Sequence, residues 1–156
     1  MIIKDQILSI EQAQRLHELG VDVAKFSRVY WGWLKLVGRD AELSPILGRP
    51  EHPFLLKGGE IVSGIPTLTV ADILDYLPER IINDNKDYQL EVRRYDGDWY
   101  VTYLRTKADG DLDIIIENID EHLITALYYV LIEVILHWDD AHINNEELSK
   151  GNEDIF

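Results

Sequence analysis

Glu133, His137 and Asp140 form the row in this chain that comes nearest to a catalytic or metal-binding constellation. Glu133 and His137 stand one helical turn apart, and Asp140 extends the row if the helix continues. A carboxylate and an imidazole at that spacing can meet on one divalent ion. His142 is close behind, but His122 lies about 22 Å upstream at the helical rise of 1.5 Å per residue. No second Glu/His pair completes a ligand set. The plainer reading of the same spacing is an exposed i,i+4 ion pair that contributes a few tenths of a kcal/mol, about 0.2–0.5. A metal-dependent enzyme using Glu133, His137 and Asp140 is therefore kept as an alternative, and no metal site is assigned.

Other motifs fail on a named residue. GEIVSG, Gly59 to Gly64, has the two glycines of a phosphate loop, but Ile65 and Pro66 stand where Lys and Ser/Thr are needed. Asp109, Asp111, Asp113 and Asp120 occupy positions 1, 3, 5 and 12 of a calcium loop. Ile114 then blocks the sixth position, where a glycine makes the sharp turn. His17-Glu18 opens a zincin-like pattern that Val21 ends. No serine sits in a G-x-S-x-G elbow, and the five histidines have no triad context. No catalytic residue and no cofactor is assigned.

The remaining chemical candidate is aromatic. YWGW places Tyr30, Trp31 and Trp33 around Gly32. If Val29 to Leu34 is extended, Val29, Trp31 and Trp33 share one face and Tyr30, Gly32 and Leu34 the other. Indoles on one face can stack on a sugar, a base or a partner's side chain, and such residues anchor interfaces. They are also what a domain of this size buries to fill its core. Tyr30, Trp31 and Trp33 are the candidate binding residues, with the core as the competing reading.

The elements that must position these residues follow from periodicity. Ser9-Ile10-Glu11-Gln12 has the form of a capping box, Ile10, Ala13, Leu16 and Leu19 recur at helical spacing, and Gly20 stops the run; this predicts a helix over 10–19. Residues 21–37 are β-branched and aromatic and predict strand. Gly38 to Pro53 carries Pro45, Gly48, Pro50 and Pro53 and predicts a loop, and Phe54 to Ser63 a small hairpin turning at Gly58-Gly59. Thr69, with Asp72 three places on, opens a helix over 70–81, striped by Ile73, Leu77 and Ile81 and ended or kinked by Pro78.

YQLEVRRYDGDWYVTYLR predicts a hairpin over 88–105, because Asp96-Gly97 suits a two-residue type I′ turn. That turn pairs Arg94 with Trp99, Val92 with Val101 and Leu90 with Tyr103, with Arg93–Tyr100 and Glu91–Thr102 on the other face. Arg94 beside Trp99 permits a cation–π contact at the tip. A third strand is predicted near 112–116. Asn118 with Glu121 then caps a long helix over 119–138 that is apolar on nearly every side. The fold class is α+β: a small antiparallel sheet packed against helices near 10–19, 70–81 and 119–138. The chain of 156 residues reads as a single domain over 1–156, with 139–156 a polar tail expected to fray.

Apolar residues make up 46% of the chain and charged residues 28%, values of a globular fold. Absent cysteine excludes disulfides and a thiol nucleophile and is compatible with a reducing cytoplasm. MIIKDQILSIEQ lacks the apolar run of a secretory signal, and Leu123 to Trp138 is too short and too polar for a membrane span. A soluble, cytoplasmic protein with no membrane association is expected. Net charge is −14; thirteen acids against Lys150 alone give −12 over 108–156, leaving −2 for the first 107 residues. Phosphate binding needs Lys and Arg, so direct nucleic-acid binding is not expected. A basic partner is compatible with the acidic third, as is a solvated acidic surface.

SIEQAQRLHELG, IPTLTVADILDYLP, the YQLEV…DWYVTYL hairpin and a long terminal helix together resemble small α+β proteins of bacterial prophages and mobile elements, whose activity is uncharacterised. The likeness covers about two-thirds of the chain, is weakest from Ala24 to Gly64, and carries no catalytic residue. It implies a small accessory protein. The function expected is a non-enzymatic binding module, with a protein partner or self-association through the long apolar helix. The alternatives are an acidic DNA mimic or dock for a basic protein, and the metal-dependent enzyme above.

Overall fold

In the computed structural model, which describes residues 6–36, 40, 42–47, 59–61 and 65–138 (only the backbone over 33–36 and 59–61), Ser9 closes its capping box. Its Oγ accepts from the Gln12 amide at 3.2 Å, and Gln12 Oε1 accepts from the Ser9 amide at 3.0 Å. This starts α1 (Ile10–Glu18), which buries Ala13 and Leu16. The chain divides into two compact units, residues 1–74 and 75–156, each described in turn.

The first unit holds a sheet centred on β1 (Val29–Leu36). On one side β1 pairs antiparallel with β2 (Glu42–Leu47), from Val29↔Leu47 to Leu34↔Glu42. On the other it pairs with β3 (Gly59–Ile61) and β4 (Ile65–Thr67) in tandem. Two corrections to the sequence reading arise here. Val23–Phe26 is a short helix, α2, begun by Asp22 Oδ1 accepting from the Lys25 amide. Residues 42–47, expected as loop, form a strand that carries Pro45. An edge strand tolerates proline, because the missing N–H faces away from the ladder. The expected turn at Gly58-Gly59 falls largely outside the described residues, but Gly59–Ile61 is extended.

The second unit is a four-stranded antiparallel meander, in the order β5 (Arg80–Asn83), β6 (Lys86–Tyr95), β7 (Asp98–Thr106), β8 (Leu112–Asp120). Asp96 and Gly97 take φ of 52° and 85°, as a type I′ turn requires. The predicted register holds throughout, including Leu90↔Tyr103, Val92↔Val101 and Arg94↔Trp99. Arg94 lies 5.5 Å over the Trp99 ring and Arg93 5.2 Å over Tyr100. The predicted helix over 70–81 is shorter, α3 (Val70–Tyr76), begun by the reciprocal Thr69–Asp72 cap. Leu77 and Pro78 end it, and Ile81 is in β5. Asp84 and Asn85 adopt positive φ without help from glycine, so a second two-residue turn joins β5 to β6.

The strand predicted near 112–116 runs on to Asp120, so Asn118 pairs with Val101 and caps nothing. The helix predicted over 119–138 is α4 (Leu123–His137), with His122 at its N-cap position. Helix α4 packs on β7 and β8. It buries Ile124, Ala126, Leu127, Tyr128, Val130, Leu131 and Val134, and Val101, Tyr103 and Ile116 are buried on the sheet. Each such aliphatic side chain contributes roughly 1.5–3 kcal/mol when fully removed from water. The Tyr103 hydroxyl donates to the Pro78 carbonyl at 2.6 Å, and burial raises its pKa. The fold class is α+β, as read from the sequence. Among the described residues no helix is long and apolar enough to cross a membrane.

Candidate functional site

Strand β8 is the last of its sheet, and among the described residues its outer edge pairs with nothing. Its sequence, LDIIIENID, contains no proline, lysine or arginine, and its charged side chains are Asp113, Glu117 and Asp120. One bulge interrupts it, where Tyr103 faces Ile116 and Leu104 faces Ile114, leaving Ile115 as the extra residue. Leu112, Ile114 and Ile119 are exposed on this strand.

Along the flank of α4, Tyr129, Ile132, Glu133 and Leu136 recur at helical spacing and make one stripe. Tyr129 and Leu136 are each 51% exposed. Strand and helix enclose a groove of about 430 Å³, with Ile115, Glu117 and Asn118 on the strand side and Tyr129, Ile132 and Glu133 on the helix side. Its walls mix aliphatic side chains with polar groups, and the two carboxylates among its lining residues are Glu117 and Glu133.

A polar cluster fixes where β8 begins. Asp113 Oδ2 accepts from the Tyr88 hydroxyl at 2.9 Å and from Arg105 Nε at 2.8 Å. The Arg105 guanidinium stands 5.8 Å over the Tyr88 ring. Three strands are thus tied at one point. The Tyr88 hydrogen bond, then Arg105, hold the Asp113 carboxyl below the usual range. Arg105 answers Asp113, whereas Glu117 has no cation beside it among the described residues. Among the described residues Glu133 has only His137 as an ion-pair partner, at 3.9 Å.

The residues singled out by sequence have these places. Tyr30 is fully buried in the first unit; burial raises its pKa, and its hydroxyl has no hydrogen-bond partner among the described residues. Its ring lies across Gly32, where an added Cβ would stand 3.1 Å from Tyr30 Cε2 and 2.8 Å from Ile46 Cδ1. That close approach is why a glycine interrupts the aromatics. Trp31 is half-buried, and its Nε1 donates to the Leu8 carbonyl at 2.9 Å. The same carbonyl accepts from the Thr67 hydroxyl at 2.8 Å. The Trp33 side chain lies outside the described residues.

Glu133 and His137 form the i,i+4 pair, with both side chains substantially exposed; Asp140 and His142 lie outside the described residues. Among the described residues no group of three or more His, Asp or Glu is placed to hold a metal ion. The calcium-loop spacing dissolves into separate roles. Asp109 Oδ1 accepts from the Asp111 amide, Asp113 sits in the cluster above, and Asp120 Oδ1 accepts from the His122 amide.

Sequence reasoning missed the groove because it depends on β8 continuing to Asp120 beside α4. The signal available was the helical spacing of Tyr129, Glu133 and Leu136, in a helix read as apolar on nearly every side. No family model, no curated protein and no solved structure matches the chain.

Proposed function

We propose that the protein is a non-enzymatic interaction module whose binding surface is the β8 edge and the adjoining flank of α4. The observation that carries this reading is the conjunction of an edge strand that pairs with nothing among the described residues and has no proline, with the exposed apolar pair Tyr129 and Leu136 beside one groove. Unpaired backbone donors and acceptors give affinity to an added strand, and neighbouring pockets give it specificity. A partner protein or a second copy of the chain is the class of ligand, in keeping with the accessory role that the resemblance implies. On this reading Glu133 and His137 of α4 are an exposed i,i+4 pair with no catalytic role.

A photo-crosslinking amino acid placed at Tyr129, and separately at Leu136, tests it in the native host. The expected result is a protein adduct at one or both positions and none at exposed Glu18 of α1. Absence of adducts at both groove positions would overturn the reading.

A further inference from the structure

The chemistry of the β8 edge selects among its occupants. From Ala108 to Trp138 the chain has no lysine or arginine, and six acids fall between Asp109 and Glu121. Asp113 is answered by Arg105, but Glu117, paired with Thr102 on the sheet face away from α4, projects from the edge strand with no cation beside it among the described residues, and Glu133 adds a carboxylate on the helix side of the groove. Two copies meeting at this edge would bring like charges together on adjacent strands, where directly opposed like charges destabilise pairing. Residues 139–156 carry six acids against Lys150, so they do not complement it either.

We infer that the occupant is an extended segment of another protein in which lysine or arginine alternates with aliphatic residues, added to β8 as a fifth strand. This inference rests on the reading of the β8–α4 groove as a binding surface. The alternation is required by the site. Side chains of an added strand point to opposite faces, so one set meets the groove walls Ile115, Tyr129 and Ile132 while main-chain bonds form along the edge. Lysine or arginine next in sequence points to the other face, where it meets Glu117. The charge term steers association and weakens with salt, while the strand pairing does not.

The test uses the full chain and three ten-residue peptides: alternating valine–lysine, alternating proline–lysine of equal charge, and alternating valine–glutamate. Binding is measured by fluorescence anisotropy, and hydrogen exchange is followed in fragments covering Leu112–Asp120. The expected result is binding of the valine–lysine peptide at least tenfold tighter than either control, with exchange slowed over β8. Glu117→Lys should weaken it about tenfold at an unchanged melting temperature; if that variant does not fold, Glu117→Gln is read instead, with about a threefold loss. Equal binding of both lysine peptides, a preference for the glutamate peptide, or no binding would each overturn the inference. So would light scattering showing a dimer whose β8 amides are already protected. That last outcome, or protein adducts at Tyr129 without peptide binding, would leave the groove a binding surface and remove only the basic segment.

Discussion

The two sheets of this protein treat their edges differently. In the first, β2 carries Pro45 opposite Trp31 and β4 carries Pro66 opposite Tyr30, so two of the three strands flanking β1 contain a residue that cannot donate to a further strand. In the second, β5 is four residues long, and the part of β6 it leaves uncovered carries Arg93 and Arg94. Strand β8 has no proline and no basic residue; it carries a single bulge and the carboxylates Asp113, Glu117 and Asp120. Edge strands are a liability that folds ordinarily blunt. An edge that pairs with nothing among the described residues, beside exposed aromatic and aliphatic side chains, is therefore where association is to be sought.

The sharpest way to break the second region is through the helix that covers its sheet. Leu127→Ala removes a fully buried side chain of α4 and should cost about 2–5 kcal/mol in denaturant unfolding. A loss below 1 kcal/mol would mean that α4 is not what holds β7 and β8 in place. The first region is tested at its tightest point. Gly32→Val drives a side chain into Ile46 and Tyr30 and should cost roughly 1–3 kcal/mol, measured the same way.

A smaller effect concerns the start of the open edge. The Asp113 carboxyl is held below its unfolded range, so its stabilisation is present above the unfolded pKa and is lost as pH falls through the folded one. Asp113→Asn should flatten the acid limb of the stability profile while leaving the neutral-to-alkaline limb parallel to wild type. Superimposable acid limbs would show that the Tyr88–Asp113–Arg105 cluster contributes nothing there. The smallest change in stability is expected at Pro45→Val, within about 0.5 kcal/mol. That variant should nevertheless show concentration-dependent association by light scattering. If it does not, proline is not what keeps the β2 edge apart.

How much of this was legible in the sequence depended on where a turn announced itself. The hairpin and its whole register could be read because Asp96-Gly97 fixes the phase of every following pair. Strand β5 was hidden because Ile73, Leu77 and Ile81 keep helical spacing past Pro78, and because Asp84-Asn85 makes a positive-φ turn without glycine. Strand β2 was hidden by its own guard, since Pro45 among neighbouring glycine and proline reads as a loop. The end of β8 was lost where Asn118 and Glu121 imitate a helix cap. YWGW gave the right residues to examine but not the contact of Tyr30 with Gly32, which is a matter of rotamer. The groove belonged to no local pattern, because strand and helix come together only in space.

The connectivity of the second sheet also determines how chain entropy is lost. Each of its strands finds its partner next along the chain, across turns of two residues at Asp84-Asn85 and Asp96-Gly97 and a short loop at 107–111. In the first sheet Val29 must find Thr67, with the whole of β2 and β3 lying between them. Closing a longer loop costs more, though only logarithmically. The ribbon that ends in the open edge can therefore assemble from local encounters alone, while the proline-guarded sheet requires distant segments to meet first.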